Sequence, residues 1–188
     1  MSIQDVIPET PIALQGSRIG LLSDSHGDVR MTNAALEALC ARNPAAIIHL
    51  GDVCDDRVLE ALAGNCDADG HEIPAFAVPG NMDDDPRALV RHGERMGVQV
   101  GHPALAFTSG GALLVAHHGH VRRVESAAHE RGATHILHGH THLVRDEQVN
   151  GVRMLNPGAL HRAQRFTAAV LDLANGEFEV FEVSRTQP

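Results

Sequence analysis

Five short apolar runs constrain this chain more than any other feature. They are RIGLL (18–22), AAIIHL (45–50), AFAV (75–78), ALLVAH (112–117) and HILH (135–138). Each is continuous rather than alternating, the pattern of a strand covered on both faces. Helical patterns separate the first of them. VRMTNAALEALCAR puts Met31, Ala34, Ala35, Ala38 and Leu39 on one face. DDRVLEALAG opens on an acidic cap and stops at Gly64, VRRVESAAHERGA stops at Gly132, and a fourth helix is expected after Pro86. Strands alternating with helices predict an α/β domain with a largely parallel sheet.

Beyond His142 the pattern changes. Asn150-Gly151 lies between two strand-like runs, and Ala174-Asn175-Gly176 separates RFTAAVLDL from EFEVFEV. Both are hairpin signals. They predict a β meander that forms a second sheet packed on the first. The whole reads as one α/β sandwich domain over 17–185, with residues 1–16 as an N-terminal arm or added edge segment.

The 188 residues, 43% hydrophobic, suit one domain with a substantial core. Aromatic residues make up only 3%, with no Trp or Tyr, so that core must be aliphatic. A net charge of -9 argues against broad electrostatic binding to nucleic acid or anionic membranes. It leaves phosphate substrates open, because bound cations invert a local field. The start, MSIQDVIPETPIALQGS, has no basic or apolar run of a signal peptide, and no stretch approaches the roughly 18 apolar residues of a membrane span. Cys40, Cys54 and Cys66 form no CxxC pair and read as reduced thiols of a cytoplasmic protein.

The ends of the five runs carry the chemistry. Asp24 and His26 follow the first, Gly51-Asp52 the second, Gly80-Asn81 the third, His118-Gly119-His120 the fourth and Gly139-His140-Thr141-His142 the fifth. Carboxyl ends of strands line the binding crevice of an α/β sheet, so the clusters can converge. Asp24, His26, Asp52, Asn81, His118, His140 and His142 offer nitrogen and oxygen donors and no thiolate. That set suits Mn, Fe, Zn, Co or Ni. It is too large for one tetrahedral ion and right for two ions if one carboxylate bridges.

Together these motifs resemble the calcineurin-like metallophosphoesterase superfamily. With NPGA (156–159) they resemble its small YfcE-type phosphodiesterase branch. The resemblance implies a four-layer α-β-β-α sandwich of two mixed sheets. It implies a dinuclear metal-dependent phosphoesterase that hydrolyses phosphodiester bonds by attack of a metal-bridging hydroxide. By the same resemblance Asp24, His26 and His142 hold one divalent ion, Asn81, His118 and His140 the other, and Asp52 bridges. Manganese is the expected metal. A small phosphate ester is the expected substrate, and self-association into a dimer or higher homo-oligomer is a further expectation.

One departure matters. Many members carry a histidine after the Gly-Asn pair, whereas this chain has Met82, whose thioether donates no proton. Phosphodiesters with acidic leaving groups are therefore expected to be cleaved better than monoesters. Asn81 and His120 are the catalytic candidates. His120 either replaces the missing acid, binds the phosphate, or only supports a ligand by hydrogen bonding. Arg122 and Arg123 read either as phosphate contacts or as solvated arginines at a helix start. Asp28 and Asp83 are expected to hydrogen-bond ligand histidines. His49, His117 and His138 read as structural, and Asn156 and Gly158 as a turn near the site. The competing readings are a binding module like the retromer scaffold subunit, which shares the implied fold, a phosphomonoesterase and a nuclease.

Overall fold

A computed structural model of the chain describes residues 6–184. Residues 1–5 of the expected arm and residue 185 at the expected domain end lie outside the described residues.

Twelve strands and four helices follow in the order β1 (Ile12–Ala13), β2 (Arg18–Leu22), α1 (Val29–Cys40), β3 (Ala46–His49), α2 (Asp56–Leu62), β4 (Ala75–Ala77), α3 (Pro86–Met96), β5 (Gln99–Val100), β6 (Ala104–Ser109), β7 (Ala112–His117), α4 (Arg122–Glu130), β8 (His135–Leu137), β9 (Val144–Val149), β10 (Val152–Pro157), β11 (Thr167–Asp172) and β12 (Glu177–Glu182). The helices start where side chains can satisfy free amides. Asp28 accepts from the Met31 amide, Asp55 from that of Arg57, and Asp85 from those of Arg87 and Ala88, with Pro86 opening α3. Gly97, at φ 79°, closes α3 in the left-handed conformation that glycine adopts without strain.

The strands make two mixed six-stranded sheets, β12-β11-β2-β3-β4-β5 and β1-β6-β7-β8-β10-β9. Three apolar layers hold them. Ile19, Leu21, Ile48 and Phe76 of one sheet meet Leu105, Phe107, Leu114 and Leu155 of the other, with Phe76 and Phe107 edge to face at 5.0 Å. Alternate residues of the first sheet, among them Leu22, Ile47 and Val170, face Met31, Leu39, Val58 and Leu59 of α1 and α2. Ala106, Val115, Ile136 and Met154 of the second face Val124, Ala127 and Ala128 of α4. The result is helix, sheet, sheet, helix. It explains why the runs are continuously apolar, since both faces of each strand are covered. Each fully buried large aliphatic contributes roughly 1.5–3 kcal/mol before chain entropy is set against it.

Two expectations are corrected here. The five runs do not share one largely parallel sheet. β2, β3 and β4 are parallel in one, and β7 and β8 are parallel in the other. The C-terminal meander is not a separate sheet either. Its first hairpin, β9–β10, adds to β8, while its second, β11–β12, adds to β2. A continuous apolar pattern reports burial on two faces and carries no record of which neighbour covers them. The segment between β10 and β11 therefore crosses from one sheet to the other. The hairpin turns themselves are as read: Asn150 and Gly151 have φ 51° and 83°, and β9 and β10 pair Val149 with Val152 across them. β5 and β6 have no counterpart in the sequence reading. β1 pairs with β6 at the end of its sheet, so residues 12–13 form an edge strand, the second of the two readings of the N-terminal segment. Among the described residues no helix is long and apolar enough to cross a membrane.

Candidate metal centre

β2, β3, β4, β7 and β8 each end in a loop that turns polar side chains into one place. The His142 Nε2 lies 3.2 Å from Asp24 Oδ1 and 3.4 Å from the His26 Nε2. The His26 Nε2 is 3.5 Å from Asp52 Oδ2. On the other side the His118 Nε2 is 3.3 Å from Asp52 Oδ1, 3.1 Å from Asn81 Oδ1 and 4.0 Å from Asp24 Oδ1. The His140 ring lies 5.1 Å from that of His118, and its backbone amide donates to Asp24 Oδ2 at 3.1 Å. All seven side chains singled out in the sequence are thus neighbours, and Asp52 has one oxygen toward each half.

The loops reach this arrangement through unusual backbone. Asp24, His26, Asp52, His140 and His142 all have positive φ, between 45° and 70°. Non-glycine residues pay about 1–3 kcal/mol each for sparsely populated conformations, and such residues cluster where function over-determines them. Gly80 is required by approach rather than by φ, because a Cβ there would occupy the space of the Asp52 carboxylate.

Further contacts fix the orientation of the donors. His118 Nδ1 donates to the Leu50 carbonyl oxygen at 2.8 Å, which aims its Nε2 at Asp52 and Asn81. His142 Nδ1 lies 3.4 Å from the Arg162 carbonyl oxygen. The Ser23 hydroxyl donates to Asp24 Oδ2 at 2.5 Å, while Asp24 Oδ1 is buried with no hydrogen-bond partner. Burial alone would raise the Asp52 pKa. The hydrogen bond from His118 and that from the Met82 amide outweigh it and hold the carboxyl down at about 2. For His118 burial pulls the other way, and the Asp52 and Asp24 carboxylates overcome it to raise the imidazole pKa. Protons therefore compete for the place a cation would take.

The donor set fits divalent ions. A buried carboxylate oxygen has no hydrogen bond, and two imidazole nitrogens face each other across 3.4 Å. Lone pairs held this close are satisfied either by a proton shared between them or by a cation, and a buried carboxylate oxygen without a hydrogen bond favours the cation. Two triads, Asp24/His26/His142 and Asp24/Asp52/His118, each have their donor atoms within 4.8 Å of one another.

Other expectations resolve differently. His120 is exposed with its ring 5.4 Å from that of His118, so it borders the cluster. Arg122 and Arg123 are exposed on the first turn of α4, outside the contacts just described. Asp83 does not serve a histidine as expected. Its carboxylate accepts the amides of Gly80, Val53 and Cys54, tying the loop after β4 to the loop after β3. Asp28 accepts from the Met31 amide as the cap of α1. Asn156 is buried and donates to the Gly139 carbonyl and the Thr141 hydroxyl at 2.8 and 3.1 Å, clamping the loop that carries His140 and His142. Sequence reasoning did not single out Ser23, Cys54, His161 or Arg162. Ser23 flanks Asp24 and could have been found by adjacency. The His161 ring lies 5.2 Å from that of His26, in the sheet-crossing segment, which has no periodicity to mark it. Cys54 Sγ lies 3.9 Å from His26 Nδ1, the ring nitrogen opposite the one in the cluster. Burial, reinforced by Asp83 and Asp52, pushes its pKa up to about 12 and keeps it a thiol.

Two buried histidines set the acid limit of the metal-free fold. Burial lowers both His49 and His117 from the ordinary 6.5 to about 3, so both are neutral in the folded chain. The unfolded chain takes up those protons below pH 6.5 and the folded chain does not. Stability present above that pH is therefore lost as pH falls from 6.5 toward 3. The expected slope in chelator-treated protein is ~2–3 kcal/mol per pH unit near pH 5, from up to one proton per site. Urea unfolding at a series of pH values measures it, and a flat profile from about pH 6 to 4 would contradict the neutral burial of these rings.

The sequence matches a family model described as the calcineurin-like phosphoesterase superfamily domain over residues 18–176. No curated protein matches it. Among solved structures, an archaeal phosphodiesterase superposes with a TM-score of 0.76 at 23% identity, over 88% of this chain and 99% of that one. YfcE, a phosphoesterase from E. coli, gives 0.60 at 18%, over 89% and 100%. The zinc complex of Vps29 from Entamoeba histolytica gives 0.57 at 15%, over 90% and 99%.

Proposed function

Because the chain belongs to the calcineurin-like phosphoesterase superfamily, we propose that it is a phosphodiesterase that works with two divalent ions, manganese foremost. Asp24, His26 and His142 would hold one ion, Asn81, His118 and His140 the other, with Asp52 placed to serve both. Bound there, the ions supply Lewis acidity toward the phosphoryl oxygens and an acidified water as nucleophile. The observation that carries this reading is the Asp24 carboxylate oxygen, buried, without a hydrogen bond and faced by the His142 Nε2 at 3.2 Å.

The chain's own residues define the rest. Leu50 and Arg162 carbonyls hold His118 and His142 with Nε2 inward, so the donors need little reorganisation. His120 hydrogen-bonds the phosphoryl group. Partial desolvation by the surrounding loops, then repulsion from His118 and His140, lowers its pKa, so near neutral pH it offers an N–H rather than a charge. Met82 lies at the rim, 52% exposed, its amide donating to Asp52 Oδ1 at 2.9 Å. No acid stands at that position to protonate a departing alkoxide. The reaction therefore favours esters whose leaving group is stable as an anion.

Purified protein treated with chelator and reloaded with manganese should hydrolyse bis-p-nitrophenyl phosphate at least about tenfold faster than p-nitrophenyl phosphate, ~1.4 kcal/mol in activation free energy. Chelator alone should abolish both. A preference for the monoester would overturn the diesterase reading. Metal binding without hydrolysis of either ester would favour a binding module instead.

A further inference from the structure

The sheet-crossing segment and the residues after His142 border an open cavity of about 590 Å³ that His142 shares with the metal centre. Arg162, Ala163, Leu143, Val144 and Phe181 line it. Three observations point to a ligand. Leu143 and Val144 are 69% and 50% exposed, two of the four large apolar side chains left in water among the described residues, and both face this space. Arg162 is a non-glycine residue at φ 48°, and the same residue whose carbonyl meets His142 lines the cavity. Its guanidinium makes no ion pair or hydrogen bond among the described residues, whereas Arg165, also on the wall, is paired with Glu182 at 3.2 Å. The volume lies within the range of small-molecule sites and far exceeds what a methyl or ethyl ester would fill.

We propose that this cavity is the subsite for one ester group of the substrate, and that the substrate is a small phosphodiester carrying a ring-bearing group of nucleoside size. The inference rests on the phosphodiesterase reading above. Leu143 and Val144 cover the ring and lose their contact with water on binding. Arg162 donates to acceptor atoms on the ring or stacks on its face. The formal charge of -9 disfavours a long nucleic acid, so the ligand is a small ester.

Two chromogenic diesters with the same leaving group test it: thymidine 5′-p-nitrophenyl phosphate and methyl p-nitrophenyl phosphate. In each, water oxygen bonds to phosphorus, the bond from phosphorus to the aryl oxygen breaks, p-nitrophenolate departs, and the water's protons go to solvent and product. The thymidine ester should show a KM at least about tenfold lower. Ala163→Trp, which fills the cavity, should reduce that KM ratio at least about fivefold. Leu143→Ser, at an exposed position, should reduce it in the same direction and serves if the tryptophan variant does not fold. A readout apart from turnover is the methyl NMR spectrum. Leu143 and Val144 resonances should move on adding thymidine 5′-monophosphate and stay in place with methyl phosphate. Equal KM values for the two esters, or unmoved methyl resonances, would overturn the subsite. Failure to hydrolyse either ester with any metal, with the methyl shifts still present, would instead remove the phosphodiesterase reading and leave the cavity as a binding site.

Discussion

Asp52→Asn should lower metal-dependent diester hydrolysis by about a thousandfold, ~4 kcal/mol of transition-state stabilisation, with the fold intact. The carboxylate has Oδ1 3.3 Å from the His118 Nε2 and Oδ2 3.5 Å from the His26 Nε2, so it turns one oxygen toward each half of the cluster. An amide keeps only one oxygen, carries no charge, and turns an N–H toward the other half. The fold should survive because that remaining oxygen can still accept the Met82 amide, as Oδ1 does now. Binding offers a second readout. Manganese at a hundred times its Kd should stabilise the parent chain by about 2.7 kcal/mol, and the variant by far less at the same concentration. Hydrolysis at the parent rate by Asp52→Asn would mean that the activity belongs to another site or to a contaminant.

That this experiment could be designed from the sequence has a physical reason. Asp24, His26, Asp52, Asn81, His118, His140 and His142 each follow a buried strand, and polar donors at the carboxyl ends of buried strands have few explanations other than a site. The same reasoning could not see which sheet each strand would join. β2 and β7 are both continuous apolar runs, and nothing in their residues records that one packs against α1 and the other against α4. β6 reads ALAFTS, with no metal-capable residue at its end, and was passed over. Asp83 looked like a partner for a histidine because it lies close to Asn81. Its use as an acceptor for three backbone amides depends on the meeting of two loops thirty residues apart. His161 and Arg162 belong to an irregular crossover, where neither a period of two nor one of 3.6 operates. Local chemistry was legible, and contacts made by long-range docking were not.

Gly139→Ala is a harsh small change near this site. The residue lies between Leu137, the last of β8, and His140, and its φ is outside the left-handed region. Space alone excludes a side chain. An added Cβ would collide with the Ser23 hydroxyl and stand 2.7 Å from Asp24 Oδ2 and 2.9 Å from the Leu50 carbonyl oxygen. None of these can yield cheaply. Ser23 is hydrogen-bonded to Asp24, Leu50 is backbone, and Gly139 is itself held by its amide bond to the His118 carbonyl and by Asn156 at its own carbonyl. The expected loss is about 3 kcal/mol of stability, at the upper end of overpacking costs, and a metal affinity lower by about ten- to a hundredfold as Asp24 is pushed from its place. Gly132→Ala is the matched control. It has φ 75° with nothing within 4 Å of the new methyl, so it carries backbone strain without collision and should cost about 1 kcal/mol. If urea unfolding gave both variants the same loss, the close approach of the β8 loop to Ser23 and Asp24 would be wrong, and with it the convergence of the Asp24 and His140 loops on which the proposed two-ion site depends.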